Sequence, residues 1–461
     1  MKFLDRTEET ATFNRVLHLD RNALVVVYGR RRVGKSTLIK HVLVEGDVYH
    51  LCEEAKMQSQ IDCFSNTVAY TFEGFNKVRY EDWETILLEI NRYVPSKMTV
   101  CIDEFPYLLS SCASLPSIIQ RLIDNKSLHY NLILCGSSQS MMHGRLLDET
   151  SPLYQRADWQ PKIRQLRLPY IREALGCNDI EAVEEYAVWG GVPRYWVLRA
   201  DYKTLYDALM SLLLNNNGVL YEEPVRLLRD ERRDTALTSS LLALIGNGVN
   251  RISELAGRVN QPATSISQPL GVLTDLGFVE REVPFGENLK KSKKGIYHLG
   301  DNFLMFYYAF IQPYKFLIEL DRQKVVMGII KEKFAMHVGK VWEKLCRDFV
   351  TGNTIDGITY SMASRWWGKI PKRDNPEILE EAEFDVVAES LDGKHVFVGE
   401  CKWSDKKNAT QVYEDLIDKA GRLPFIRKDQ TVHTALFLKR KPEEKIDFKV
   451  FTPEMINAAL L

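Results

Sequence analysis

Three runs in the first third of the chain are apolar at consecutive positions rather than at alternate ones: Leu24-Val25-Val26-Val27-Tyr28, Met98-Thr99-Val100-Cys101-Ile102 and Asn131-Leu132-Ile133-Leu134-Cys135. Short apolar runs of this kind predict strands buried on both faces of a parallel sheet. The first leads directly into Gly29-Arg30-Arg31-Arg32-Val33-Gly34-Lys35-Ser36 and then into a helical pattern at 37–43, so the order is strand, loop, helix. Residues 236–283 have another rhythm. Leu237, Leu241, Leu242 and Ile245 recur at helical spacing, Gly246-Asn247-Gly248 breaks the pattern, and two further helical segments follow before Gly277-Phe278-Val279. This predicts a winged helix-turn-helix, with 253–256 on its second helix, 263–276 as the recognition-type helix and the wing starting at 277. Beyond residue 320 the pattern predicts a helix over 338–349 and strands over 382–388 and 395–403, joined by a hairpin turn at Asp392-Gly393.

A length of 461 residues exceeds what one hydrophobic core supports, which predicts three or four modules. No stretch reaches the ~20 apolar residues of a membrane span, so a membrane is excluded as a partner. The opening Met1-Lys2-Phe3-Leu4-Asp5-Arg6 lacks the basic and apolar regions of a secretory signal, and a cytoplasmic location is expected. Eight cysteines occur without a CxxC pair or Cys/His ligand spacing, which fits reduced thiols. The net charge of −1 gives no global sign of nucleic-acid binding, so any DNA contact must be local. Lys290-Lys291-Ser292-Lys293-Lys294 is one such local feature, although charge runs of this length are more often solvated loops than binding sites.

The first loop carries the pattern GxxxxGK(S/T). Its glycines let backbone N–H groups wrap a phosphate, a lysine reaches the β- and γ-phosphates, and a hydroxyl ligates Mg²⁺. Residues Gly29, Arg30, Arg31, Arg32, Val33, Gly34, Lys35, Ser36 and Thr37 are therefore the expected ATP contacts. The second strand ends in Asp103-Glu104. Asp103, with Ser36, is expected to hold Mg²⁺, and Glu104 to orient the attacking water. The third strand ends in Gly136-Ser137-Ser138-Gln139, from which Ser138 is taken as the γ-phosphate sensor. Arg156 is the candidate to place positive charge at the transition state, in cis or across a subunit boundary, with a surface arginine as the alternative.

With these residues in view, the N-terminal half resembles the AAA+-related ATPases of archaea and bacteria, close to the signal-transducing STAND group. The resemblance rests on Phe3-Leu4-Asp5-Arg6-Thr7-Glu8-Glu9, Ile102-Asp103-Glu104-Phe105-Pro106-Tyr107-Leu108, Gly136-Ser137-Ser138, Ser151-Pro152-Leu153-Tyr154 and Trp189-Gly190-Gly191-Val192-Pro193-Arg194-Tyr195. Gln155 stands where that family commonly has glycine, which weakens the role carried over to Arg156. The resemblance implies an α/β fold: a P-loop ATPase core over 1–165, a helical lid over 166–232, a winged helix-turn-helix over 233–320 and an α/β tail over 321–461. It also implies that Gly190-Gly191-Val192-Pro193 turns the chain near the nucleotide.

In the tail, Glu400 and Lys402 are two apart on one strand and share a face, and Asp385 can meet them across the hairpin. Two carboxylates and a lysine suit Mg²⁺ and the activation of water. This resembles the PD-(D/E)xK nuclease fold, which implies Glu343 as the helix acid, Asp385 and Glu400 as metal ligands, Lys402 as the catalytic lysine and Gln411 as a completing residue. Two functions remain open. One is an ATPase whose nucleotide state drives a winged helix and a nuclease-like tail acting on DNA through Thr264, Ser265, Ser267 and Gln268. The other is a STAND-like regulatory ATPase whose tail is a non-catalytic module binding a second copy of the chain or a regulatory protein.

Overall fold

The computed structural model describes residues 3–94, 97–137, 142, 146, 151–231, 235–405 and 408–460. Its N-terminal sheet contains β1 (Leu24–Tyr28), β2 (Val48–Leu51), β3 (Thr99–Asp103) and β4 (Asn131–Gly136), all parallel, in the order β1-β4-β3-β2. The segment 158–163 runs beside the free edge of β1: Val26 N donates to Trp159 O at 3.0 Å and Ile163 N to Tyr28 O at 2.8 Å. Strands β1, β3 and β4 are buried on both faces except at Tyr28, as their unbroken apolar runs require. One face packs through Leu24, Val26, Val100 and Leu132 on the helices Met57–Thr71, Trp83–Glu89 and Leu115–Asp124. The other packs through Val25, Val27 and Ile133 on Thr7–Leu17 and Lys35–Val42.

Helices Leu168–Leu175, Asp179–Trp189, Pro193–Ala200, Leu205–Leu212 and Glu223–Asp230 follow. Asn178 and Glu181 close a capping box at the start of the second of these. Then come Thr235–Gly246, Ile252–Arg258 and Ala263–Asp275, and an antiparallel pair, β5 (Val279–Glu282) and β6 (Ile296–Leu299). Helix Asn302–Phe310, N-capped by Asp301, leads to the 28-residue helix Gln323–Val350.

The last part pairs β7 (Thr354–Ile355) with β8 (Ile358–Thr359) and builds a five-stranded sheet from β9 (Ser364–Pro371), β10 (Leu379–Glu389), β11 (His395–Lys402), β12 (Thr431–Leu438) and β13 (Lys449–Phe451). Its order is β13-β12-β11-β10-β9, antiparallel from β9 to β11 and parallel from β11 to β13. One buried apolar cluster runs from Leu166 and Trp189 through Leu241, Phe303 and Val326 to Trp342, Phe437 and Ile456. The segments after 165 thus share a core, and the other face of the last sheet closes a second one around Trp366, Phe384, Val398, Leu416 and Leu436. Among the described residues no helix is long and apolar enough to cross a membrane.

Candidate functional site

Between β1 and helix Lys35–Val42 the loop turns on positive φ values at Gly29, Arg32 and Gly34. A Cβ at Gly29 would lie 2.4 Å from the Ile163 carbonyl oxygen, so only glycine fits there. Lys35 is buried and its Nζ donates to the carbonyls of Gly29 at 2.9 Å and Arg30 at 3.0 Å. Ser36 Oγ donates to Asp103 Oδ2 at 2.6 Å, which brings the helix start and the end of β3 together. Glu104, at φ 53°, accepts from Ser137 Oγ at 2.9 and 2.8 Å. Burial works to raise the Asp103 pKa, but hydrogen bonds from Cys135, Ser36, Tyr49 and the Glu104 N–H outweigh it and hold the carboxyl below its usual range.

A cleft of about 780 Å³ opens over these groups. Its polar wall includes Arg31, Gly34, Lys35, Ser36, Thr37 and Glu104, and its apolar wall Leu4, Leu166, Pro193 and Val197. Phe3 stacks on His41 at 4.1 Å at the rim. Arg6 is buried and ties the start of the first helix to the loop through the Val33 carbonyl, 3.2 Å away. Hard oxygen donors at Ser36 and Asp103 fit Mg²⁺, and the loop N–H groups at the helix start fit a phosphate chain.

Several expected residues lie elsewhere. The Arg30 side chain turns away from the loop into a buried ion pair with Asp301, with its guanidinium 5.0 Å from the Phe278 ring centre. Arg32 stays in the cleft wall and pairs there with the fully buried Glu223. These two guanidiniums therefore bind protein carboxylates, because the loop is roofed by the segments around 223 and 301. Arg156 is not at the cleft within one chain: its Nε donates to Asp124 at 2.9 Å, at the end of helix Leu115–Asp124. Ser138 falls outside the described residues, and the neighbouring Ser137 is the hydroxyl found on Glu104. Sequence reasoning gave no role to His41 or Tyr49, and it noted Arg6 and Ser137 only as members of motifs. Tyr49 had a readable signal, since it is a polar-ended residue in a short strand that register sets next to β3.

In the tail, Glu343, Asp385, Glu400 and Lys402 come together, but as an ionic network. The Lys402 ammonium pairs with Glu400, and Asp385 Oδ2 accepts from Cys401 N at 2.8 Å. Burial, and then the Asp385 charge, push Glu343 up to about 7. Burial also raises Asp385 and Glu400. Among the described residues no group of three or more His, Cys, Asp or Glu side chains is placed to hold a metal ion. Lys402 thus engages one oxygen of Glu400, and the Cys401 N–H engages one oxygen of Asp385. Gln411 is exposed and donates to Asp415, away from the network.

Thr264, Ser265, Ser267 and Gln268 are exposed on helix Ala263–Asp275, as are Lys290, Lys291, Lys293 and Lys294 between β5 and β6. The β5–β6 hairpin is itself docked on the tail: Phe285 N donates to Arg365 O at 2.9 Å, Phe285 packs 5.2 Å from Phe425, and Lys344 reaches Glu280 at 3.2 Å.

Residues 3–197 match an ATPase domain found predominantly in Archaea. The ATPase domain is followed by a second match, over 307–412, to archaeal and bacterial proteins of unknown function. A curated relative, an uncharacterized protein of Methanocaldococcus jannaschii, is 29% identical over 427 residues, covering 91% of this chain and 92% of its own. Among solved structures, a Walker-type ATPase of Pyrococcus abyssi superposes with a TM-score of 0.52 at 18% identity, covering 66% of this chain and 96% of that one, which shows a shared fold. The Aeropyrum pernix ORC2 protein, solved with ADPNP and ADP, covers 69% of this chain and 95% of its own, with a TM-score of 0.45 at 15% identity.

Proposed function

We propose that the cleft between Gly29–Thr37 and Asp103–Glu104 binds Mg·ATP and hydrolyses it, and that the nucleotide state is passed to the segments beyond residue 165. The observation that carries this reading is the 2.6 Å hydrogen bond from Ser36 to Asp103 beside the buried Lys35 ammonium. A lysine held only by loop carbonyls can turn to phosphate oxygens, and a hydroxyl resting on a carboxylate can present its lone pair to a cation. Mg²⁺ bound with the nucleotide supplies charge neutralisation on the phosphates. Glu104, once released by Ser137, can accept a hydrogen bond from the attacking water and orient it toward the γ-phosphate. Arg30 and Arg32 support the coupling, because the loop that contacts phosphate also holds Asp301 and Glu223. ATP turnover in Lys35→Ala and Glu104→Gln tests the site: both should lose it, and unchanged hydrolysis in both rejects these roles.

For the tail, the Glu400–Lys402 ion pair favours the regulatory reading, in which a nuclease-like fold with a winged helix beside it serves as an interaction module for DNA or a protein. The docked hairpin supports the winged helix as a brace, while its exposed helix face and lysine loop leave a polar surface for DNA phosphates. Incubation with DNA of several structures in Mg²⁺ or Mn²⁺ should give no cleavage. Cutting that disappears in Asp385→Ala would instead assign a nuclease.

A further inference from the structure

Tyr49 sits on β2, in register with Cys101 of β3, two positions before the pair Leu51 and Asp103. Its Oη donates to Asp103 Oδ2 at 2.6 Å, the same oxygen that accepts from Ser36 Oγ at 2.6 Å. The other oxygen, Oδ1, accepts from Glu104 N at 2.9 Å. A carboxylate oxygen has two lone-pair sites, so Oδ2 is fully engaged by two hydroxyls. The phenol is half-buried, and its ring is held from the opposite side by the Lys40 ammonium, 4.4 Å from the ring centre.

A cation held at Ser36 carries ordered waters, and such a water can be fixed by Asp103 only through a lone pair on Oδ2 or Oδ1. Ser36 belongs to the cation site, and the Glu104 N–H is backbone. Cys135 also donates to Asp103, but it is Tyr49 that shares Oδ2 with the cation-site hydroxyl of Ser36 and so takes the acceptor site that a bound water needs there. We propose that Tyr49 is a positioning residue that competes with cation-bound water for Asp103 and so sets the Mg²⁺ concentration at which the cleft loads Mg·ATP. This inference rests on the reading of the cleft as a Mg·ATP site.

The test uses the full chain, a fluorescent ribose-labelled ATP analogue, and a Mg²⁺ titration at fixed nucleotide, read as binding and not as turnover. Removing one competing hydrogen bond to a charged group should lower the half-saturating Mg²⁺ in Tyr49→Phe by about fivefold or more. Affinity in EDTA should stay within about twofold of the parent, since the phenol touches no phosphate-binding group other than Ser36. Tyr49→Leu, checked by thermal unfolding, should shift the Mg²⁺ midpoint in the same direction. An unchanged or raised midpoint in these variants, with nucleotide still bound, overturns the role of Tyr49 alone. Failure of the parent protein to bind the analogue at any Mg²⁺ concentration overturns the Mg·ATP reading as well.

Discussion

Asp301→Ala removes two supports at once, and their sizes follow from the geometry. Oδ1 of Asp301 accepts from Leu304 N at 2.8 Å and caps helix Asn302–Phe310. Losing such a cap costs about 1 kcal/mol. Oδ2 receives Gln165 Nε2 at 2.7 Å and the Arg30 guanidinium. Arg30 is buried, and its Nε and Nη2 already lack hydrogen-bond partners among the described residues. Taking away its countercharge leaves a desolvated cation, a loss of about 3–5 kcal/mol. The substitution should therefore cost about 4–6 kcal/mol, a large part of the roughly 5–15 kcal/mol that holds a typical protein folded. Asp301→Asn keeps the cap and should be about 1 kcal/mol less damaging than alanine. Adding Arg30→Met to Asp301→Ala should recover about 2 kcal/mol or more, because the stranded charge is gone. Urea unfolding followed by circular dichroism measures all four proteins. A loss under about 1 kcal/mol for Asp301→Ala, or no recovery on adding Arg30→Met, would refute the assignment of this pair as a desolvated ion pair.

Three further outcomes are expected. His337 is buried between the rings of Phe306 and Phe310, donates to Ala187 O at 2.9 Å, and is lowered to about 4 by burial. The unfolded chain then binds a proton that the folded one refuses, so stability should fall from about pH 6.5 toward pH 4, by up to about 3 kcal/mol, and His337→Gln should flatten that limb in thermal melts. Glu343 has the opposite sign: raised to about 7 in the fold, it adds stability below its unfolded pKa and loses it as pH rises through 7, so Glu343→Gln should melt higher than the parent at pH 8 and show little difference at pH 4. Gly191→Ala would bring a Cβ to 2.0 Å from the Leu166 carbonyl oxygen, so it should break the Leu166 N to Gly191 O bond and lower the melting midpoint by many degrees, whereas Gly257→Ala, with open space, should not.

The geometry of the glycine loop was legible because its residues are local in sequence. Gly29, Gly34, Lys35 and Ser36 lie in one loop, and the strand that delivers Asp103 reads as buried from its composition alone. The strand pair β10–β11 and its Asp392-Gly393 turn were readable for the same reason. What was not legible depends on long-range packing. Arg30 and Arg32 sit in a phosphate-binding pattern, and nothing nearby in sequence signals that Asp301, 271 residues away, and Glu223 claim them. Arg156 was assigned from a motif, while its partner Asp124 is set by how the end of one helix meets a later turn. Asp385, Glu400 and Lys402 were singled out by spacing and Glu343 by resemblance, but neither says whether Lys402 neutralises Glu400 or leaves it open to a cation.

Helix Gln323–Val350 buries Ile330, Phe334 and His337 in its first half and Val341, Trp342, Leu345 and Phe349 in its second, where Trp342 Nε1 donates to Phe437 O at 3.1 Å. At about 1.5 Å per residue it is a rod roughly 42 Å long, with no proline to bend it. Pivoting such a rod by about 5° at one end swings the other by roughly 4 Å, more than the length of a hydrogen bond. A tilt of that size about the helix start at Gln323 would carry Glu343, about 30 Å along the rod, by roughly 2.6 Å past Asp385, leverage obtained from length alone.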